Sequence, residues 1–178
     1  MPKIRKTTQY LMPVSRKKPG ALDYDIYPVH DLGDGTVSSD FSELAARIPE
    51  RGTVIVDGYV GVRFDEFVSS LNEALSAVGK TALWWSVDSA LKSPAEIDKM
   101  IEPFLGGDDP LFGYRASLEL KDFFDGDKLA SIKADASAPL NIIYGIGASL
   151  AGWEGTLIYL DIPKNEIQFR SRAGSVRN

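Results

Sequence analysis

Thr53-Val54-Ile55-Val56-Asp57-Gly58-Tyr59-Val60-Gly61, followed at once by Arg63-Phe64-Asp65-Glu66-Phe67, decides the fold class of this 178-residue chain. A run of β-branched residues ends in Asp-Gly, and Gly61 follows. Phe64, Phe67, Val68, Leu71, Leu75 and Val78 then recur at helical spacing. A buried strand, a glycine-bearing turn and an amphipathic helix form the opening unit of an α/β sheet, and such turns are where these folds place ligands. The strongest motif is absent from that turn. A phosphate-cradling loop needs G-x-x-x-x-G-K-[ST], and Gly58 to Gly61 supplies neither the spacing nor the lysine.

Outward from this unit, helix and strand signals alternate. Before it, Tyr24 to His30 alternates weakly, and Pro28 confines it to an edge strand or extended segment. Gly33-Asp34-Gly35 is a turn. Ser39 or Asp40 caps a short helix through Phe41, Leu44, Ala45 and Ile48, which Pro49 ends. After it, Ala82 to Val87 is a second apolar strand ending in Asp88. Ser93-Pro94-Ala95-Glu96 is a capping box that starts a helix through Ile97, Met100 and Ile101. Phe123-Phe124 and Leu129 to Ile132 read as short helical pieces, and Asn141 to Tyr144 as a third strand closing on Gly145-Ile146-Gly147. Thr156 to Leu160 is a fourth strand ending in Asp161, with Glu166 to Arg170 pairing with it or extending as a lid. The predicted architecture is a three-layer α/β sandwich with a mostly parallel central sheet, of Rossmann-like or degenerate P-loop-kinase-like type. Residues 1–22 are a basic tail and 23–178 a single domain.

Composition narrows the function classes. With no cysteine, disulfides and thiolate metal sites are excluded, and the single His30 cannot build a polyhistidine zinc centre. No apolar run reaches the roughly 20 residues of a membrane span, and the basic start lacks a signal-peptide core, so the expectation is a cytoplasmic protein without a membrane partner. The net charge of −5 hides an asymmetry: Lys3, Arg5, Lys6, Arg16, Lys17 and Lys18 lie in residues 1–22 with no acid, leaving −11 on the rest. The basic tail suits nucleic acid or an anionic surface, or else is a solvated or crossing arm, and because the acidic body repels a phosphate backbone, nucleic acid is not the expected partner. Tyr10-Leu11-Met12-Pro13-Val14 interrupts the tail, and its apolar character predicts an extended strip against the body.

Three apolar runs stop at an aspartate: Asp57, Asp88 and Asp161. Parallel strands deliver all three carboxylates to the carboxyl edge of the sheet, where open α/β proteins bind ligands. There they hold Mg²⁺ or serve as a general base, Asp88 being the candidate base beside the tryptophan pair Trp84-Trp85, or they are ordinary turn and cap residues. Gly58, Gly61, Gly145 and Gly147 let backbone approach a ligand, or let two elements pack closely. Arg63, Arg170, Arg172 and Arg177 are candidate phosphate contacts, or solvated side chains. His30 beside Asp31 is a lesser candidate. Gly79-Lys80-Thr81 imitates the end of a phosphate loop but follows a helix instead of preceding one, so Gly79 reads as a helix cap. Asp65 and Glu66 in the first helical turn repel a phosphate placed at the glycine turn.

Val56 to Val62, Pro103 to Gly113 (Pro-Phe-Leu-Gly-Gly-Asp-Asp-Pro-Leu-Phe-Gly) and Ile158 to Arg170 together resemble the amino-terminal region of bacterial class I mannose-6-phosphate isomerase-like proteins. The resemblance covers most of residues 23–178. It implies sugar-phosphate metabolism, a phosphosugar or nucleotide ligand, and a following cupin domain that holds zinc. The zinc site itself does not carry over, because its ligands are histidines, a glutamine and a glutamate of the cupin. A fainter similarity to P-loop nucleoside kinases implies ATP with Mg²⁺, from which Gly58 to Arg63 departs. The reading is therefore an accessory or ligand-binding domain, with a kinase-like enzyme and a structural assembly module as alternatives. The polar end from Ser171 to Asn178 suits a domain cut from something longer.

Overall fold

The computed structural model describes Gly20, residues 32–109 and residues 112–176. The expected strand at Tyr24 to His30, the basic tail (Gly20 apart), His30 and Arg177 lie outside these residues. The elements run α1 (Phe41–Arg47), β1 (Gly52–Gly58), α2 (Phe64–Ala77), β2 (Ala82–Ser86), α3 (Pro94–Ile101), α4 (Gly126–Ser131), β3 (Leu140–Tyr144), β4 (Thr156–Leu160) and α5 (Lys164–Ala173). The four strands form one all-parallel sheet in the order β2-β3-β1-β4. That order differs from the 3-2-1-4 run of the dinucleotide-binding sheet.

Strand periodicity divides the core in two. Val54 and Val56 of β1, with Leu140 and Ile142 of β3, pack under Ala45 and Ile48 from the α1 side and Leu71 and Leu75 of α2. Ile55 and Ile143 point the other way, onto Val87, Ala90, Phe124, Ile132, Ala148 and Ala151. Because β1 is covered on both faces, it reads as an unbroken apolar run. The chain leaves β1 through α2 on the first face and leaves β3 through the turn Ala148–Ala151 on the second. Their connections also run toward opposite edges of the sheet, as one crossover hand requires. The carboxyl ends of β1 and β3 therefore form the switch point of the fold.

Trp84 and Trp85, the pair ahead of Asp88, both pack against the core. They pack on opposite faces, Trp84 Nε1 donating to Asn72 Oδ1 of α2 (3.0 Å) and Trp85 Nε1 to the buried Asn141 Oδ1 (3.1 Å). Gly79 ends α2 with φ of 75°, and Lys80 Nζ donates to the carbonyls of Ala45 (2.8 Å), Ala46 (3.4 Å) and Ile48 (2.5 Å). The lysine of the false phosphate motif thus serves the orphan carbonyls at the end of α1.

The segment Glu166 to Arg170 is a correction. It neither pairs with β4 nor extends; it lies within α5, which follows Pro163 and ends at Gly174 in the left-handed region. Glu166 and Arg170 sit one turn apart and pair at 2.9 Å, an interaction only helical geometry offers.

Carboxylates open several elements. The Ser42 hydroxyl, then the Glu43 and Ser42 amides, hold the Asp40 carboxyl at the start of α1 below its ordinary range. The Ser93 hydroxyl does so for Glu96 in the capping box of α3, and the Lys128 amide for Asp125 at α4. Depressed folded values mean that this stabilisation is complete above the ordinary carboxylate value of about 4 and disappears as pH falls through the lower folded values. Thermal melts followed by circular dichroism should show a midpoint that declines on acidification through that window. Asp40→Asn should lower the midpoint at neutral pH and make the acid decline shallower.

Candidate functional site at the carboxyl edge

Asp57 sits at the end of β1, only 7% exposed, and its carboxylate collects donors from both sides of the switch point. Oδ1 accepts the amides of Gly58 (2.7 Å) and Gly147 (2.8 Å), and Oδ2 accepts the Ser149 amide (3.0 Å) and hydroxyl (2.5 Å). The acceptor capacity of the group is thereby used within the protein. Three amides converging at a strand end are the kind of backbone nest in which α/β proteins seat an anion. Here the nest is filled by an anion that β1 itself supplies.

Two of the expected glycines, Gly58 and Gly147, donate to this carboxylate, and protein atoms take the space beside all four. A Cβ on Gly58 would meet the Leu160 carbonyl oxygen at 2.8 Å, and one on Gly61 would meet Ile162 and Ile167 at 3.1 and 3.3 Å. At Gly145, with φ of 125°, it would lie 2.7 Å from Val87 Cγ1; at Gly147, with φ of 81°, 3.1 Å from the Phe124 ring. Gly58 thus lets β4 approach β1, and Gly145 and Gly147 let the turn after β3 settle against the segments that follow β2.

Two clefts flank the first turn of α2. One of about 370 Å³ is lined by Val62, Arg63, Phe64, Asp65, Glu66, Asp88, Ser175 and Val176. The other, about 530 Å³, brings together Phe41, Arg63, Glu66, Tyr159, Asp161 and Arg170. Arg63 belongs to both and pairs with Glu66 at 2.5 Å. Asp88 is exposed, in the 3-10 turn Val87–Ala90 just past β2, with its Oδ1 3.3 Å from where a Gly145 Cβ would stand. Asp161 is exposed and caps its own turn through Ile162 (2.9 Å). Arg170 Nη1 donates to the Gly61 carbonyl (2.8 Å), tying α5 onto the glycine turn, whereas Arg172 is exposed and lines neither cleft.

The edge therefore gathers Asp57, Asp88, the glycine turn and Gly145 to Gly147, as the topology predicts, but divides the three aspartates. Asp57 lies beneath the surface, and Asp88 and Asp161 line separate clefts. That separation does not suit Mg²⁺: Asp57 has no acceptor capacity left, and the other two carboxylates do not share a cleft. Among the described residues, no group of three or more His, Cys, Asp or Glu side chains is arranged to hold a metal ion. Nor is any helix among them long and apolar enough to cross a membrane. Sequence reasoning missed Ser149, although its place two residues after Gly147, at a turn opening a 3-10 helix, is a common setting for a hydroxyl contact.

The pattern of the domain of unknown function DUF8485 matches residues 40–178. The chain belongs to that family. The DUF8485 region starts at Asp40, the cap of α1, and takes in the whole sheet, both clefts and α5. No curated protein and no solved structure matches the chain.

The Asp57 bonds predict a stability hierarchy at this edge. Asp57→Ala strands three amides and a hydroxyl in a largely buried place and should cost about 3 kcal/mol or more in urea denaturation. Ser149→Ala removes one donor of four and should cost about 1 kcal/mol, while Asp88→Asn at an exposed position should stay within about 0.5 kcal/mol.

Proposed function

We propose that this chain is an accessory, ligand-binding α/β domain of a mannose-6-phosphate isomerase-like protein, acting in the cytoplasm beside a cupin domain that holds the zinc. The observation that carries a binding role over a phosphoryl-transfer role is the occupied nest: the amides of Gly58, Gly147 and Ser149 already hold Asp57. A nucleotide phosphate brought to the same place would meet a fixed negative charge without free donors. Arg170 also closes on the Gly61 carbonyl, and α5 covers the turn.

What remains accessible is mixed in charge and suited to a small polyol phosphate. Asp65, Glu66 and Asp88 offer acceptors to sugar hydroxyls in the smaller cleft, and Arg63 with Arg170 offers cations on the larger side. Because Arg63 and Glu66 line both, a phosphosugar spanning the first turn of α2 would set its phosphate against arginine and its hydroxyls against carboxylate. A second reading, a kinase-like enzyme with Asp88 as base, draws support from one fact: Asp88 shares a cleft with the amino-terminal turn of α2.

Calorimetry separates the two. On the accessory reading, mannose 6-phosphate gives saturable binding that Arg63→Ala weakens at least about tenfold, equal to 1.4 kcal/mol, and ATP with Mg²⁺ gives none. Micromolar binding of ATP with Mg²⁺, lost in Asp88→Asn, would replace the accessory reading with the kinase-like one. Absence of binding by either compound would remove both.

A further inference from the structure

The outer strands of the sheet are β2 and β4, and they are not equally finished. On β4, Ile158 and Leu160 turn toward the first core, so Leu157 and Tyr159 lie on the opposite face, 58% and 56% exposed. On β2 the exposed apolar residue is Leu83, at 39%. β4 also turns backbone groups outward. The Tyr59 amide donates to the Leu160 carbonyl (2.9 Å), so Leu160, Ile158 and Thr156 direct their polar groups at β1, and the amides and carbonyls of Leu157 and Tyr159 point away from it. No described strand pairs with that side. The strand Thr156-Leu157-Ile158-Tyr159-Leu160 has no charge and no proline, the devices with which proteins blunt a bare edge.

The pattern fits a second copy of the same strand. A two-fold axis through Ile158, perpendicular to the sheet, runs two β4 strands antiparallel and sets Leu157 of each against Tyr159 of the other. Both residues have their polar groups outward, so each pair exchanges two N–H···O bonds, and Ile158 meets Ile158 at a non-hydrogen-bonded position. Leu157 against Tyr159 is an aliphatic-aromatic cross-strand pair, made once on each side of the axis. Charge agrees. Exposed Glu154 precedes the strand and exposed Lys164 follows it, so the axis brings the acid of one copy to the end of the pair where the other copy carries the base. Asp161 falls opposite Gly155, which has no side chain to oppose it.

We propose that the chain pairs with a second copy through β4, in this register, to give one continuous sheet. The larger cleft lies on that edge, lined by Tyr159, Leu160 and Asp161 together with Phe41 and Phe67 of the helical face. Pairing places Thr156 of the second copy opposite Leu160 on that same face. Each cleft thereby gains a hydroxyl from the other copy at its rim. The pairing does not depend on what the cleft holds, so it stands or falls apart from the phosphosugar reading.

Sedimentation velocity on the full chain should show a dimer that dissociates on dilution. Leu157→Lys combined with Tyr159→Lys sets lysine against lysine on both sides of the axis and should weaken the dimer at least about tenfold, with the circular dichroism spectrum unchanged. Glu154→Lys should weaken it as well, and adding Lys164→Glu should restore it. The chain has no cysteine, so introduced thiols report without background. After mild oxidation, Ile158→Cys should link to itself, whereas Leu157→Cys and Tyr159→Cys should link only when mixed with each other. A monomer at every concentration would overturn the proposal and leave the edge to another part of the chain or to another protein. A dimer indifferent to the lysine pair would place the interface elsewhere, and self-linkage of Leu157→Cys or Tyr159→Cys in place of Ile158→Cys would refute the register. Either result overturns the proposal too.

Discussion

One carboxylate holds the carboxyl edge of this domain together. Asp57 is the last polar group of a strand buried on both faces, and four donors from its own turn and from the turn after β3 converge on it. An ionised group so little exposed carries a desolvation cost that charge-assisted hydrogen bonds must offset. The two central strands, paired by their parallel ladder and packed side by side in both cores, are thereby also tied at the ends where their connections part. Gly147 needs its left-handed backbone to aim an amide inward, and Gly145 needs the missing side chain to let Val87 close in. The glycine-rich stretch after β3 is thus shaped around an internal anion.

The same interaction decides how the edge can be used. In an open α/β sheet, the crevice at the switch point is the default place for a ligand. Here that crevice is filled from within, and α5 closes the neighbouring glycine turn through Ile167 and Arg170. Access shifts outward to the clefts on either side of the first turn of α2, with Arg63 between them. Charge at those clefts comes from the side chains of Arg63, Arg170, Asp65, Glu66, Asp88 and Asp161.

Much of this was legible in the sequence because it depends on local pattern. The unbroken run from Val54 to Val56 announced a strand covered on both sides, and Ser93-Pro94-Ala95-Glu96 announced the start of α3 through the bonds its side chains make. Parallel pairing followed from strands alternating with helices, and it put Asp57, Asp88 and Gly145 at one end. What was not legible depends on depth. Asp57, Asp88 and Asp161 look alike as strand-ending aspartates, yet one is buried beneath its neighbours and two face solvent; only the register of β1 against β3 and β4 separates them. α5 was misread because its helical signal is mainly one part-buried ion pair, Glu166 to Arg170, in a stretch with no apolar periodicity.

The central claim is that Asp57 replaces a bound anion, and removal of its side chain tests this most directly. Thermal midpoints of Asp57→Gly and of the unaltered protein would be measured against rising inorganic phosphate or sulfate, with chloride at matched ionic strength as reference. If the nest is an anion site filled from within, phosphate or sulfate will raise the midpoint of the variant well beyond that of the unaltered protein, in proportion to ligand occupancy. Parallel responses of the two proteins, indistinguishable from chloride, would contradict the account and leave Asp57 as an ordinary strand-end residue.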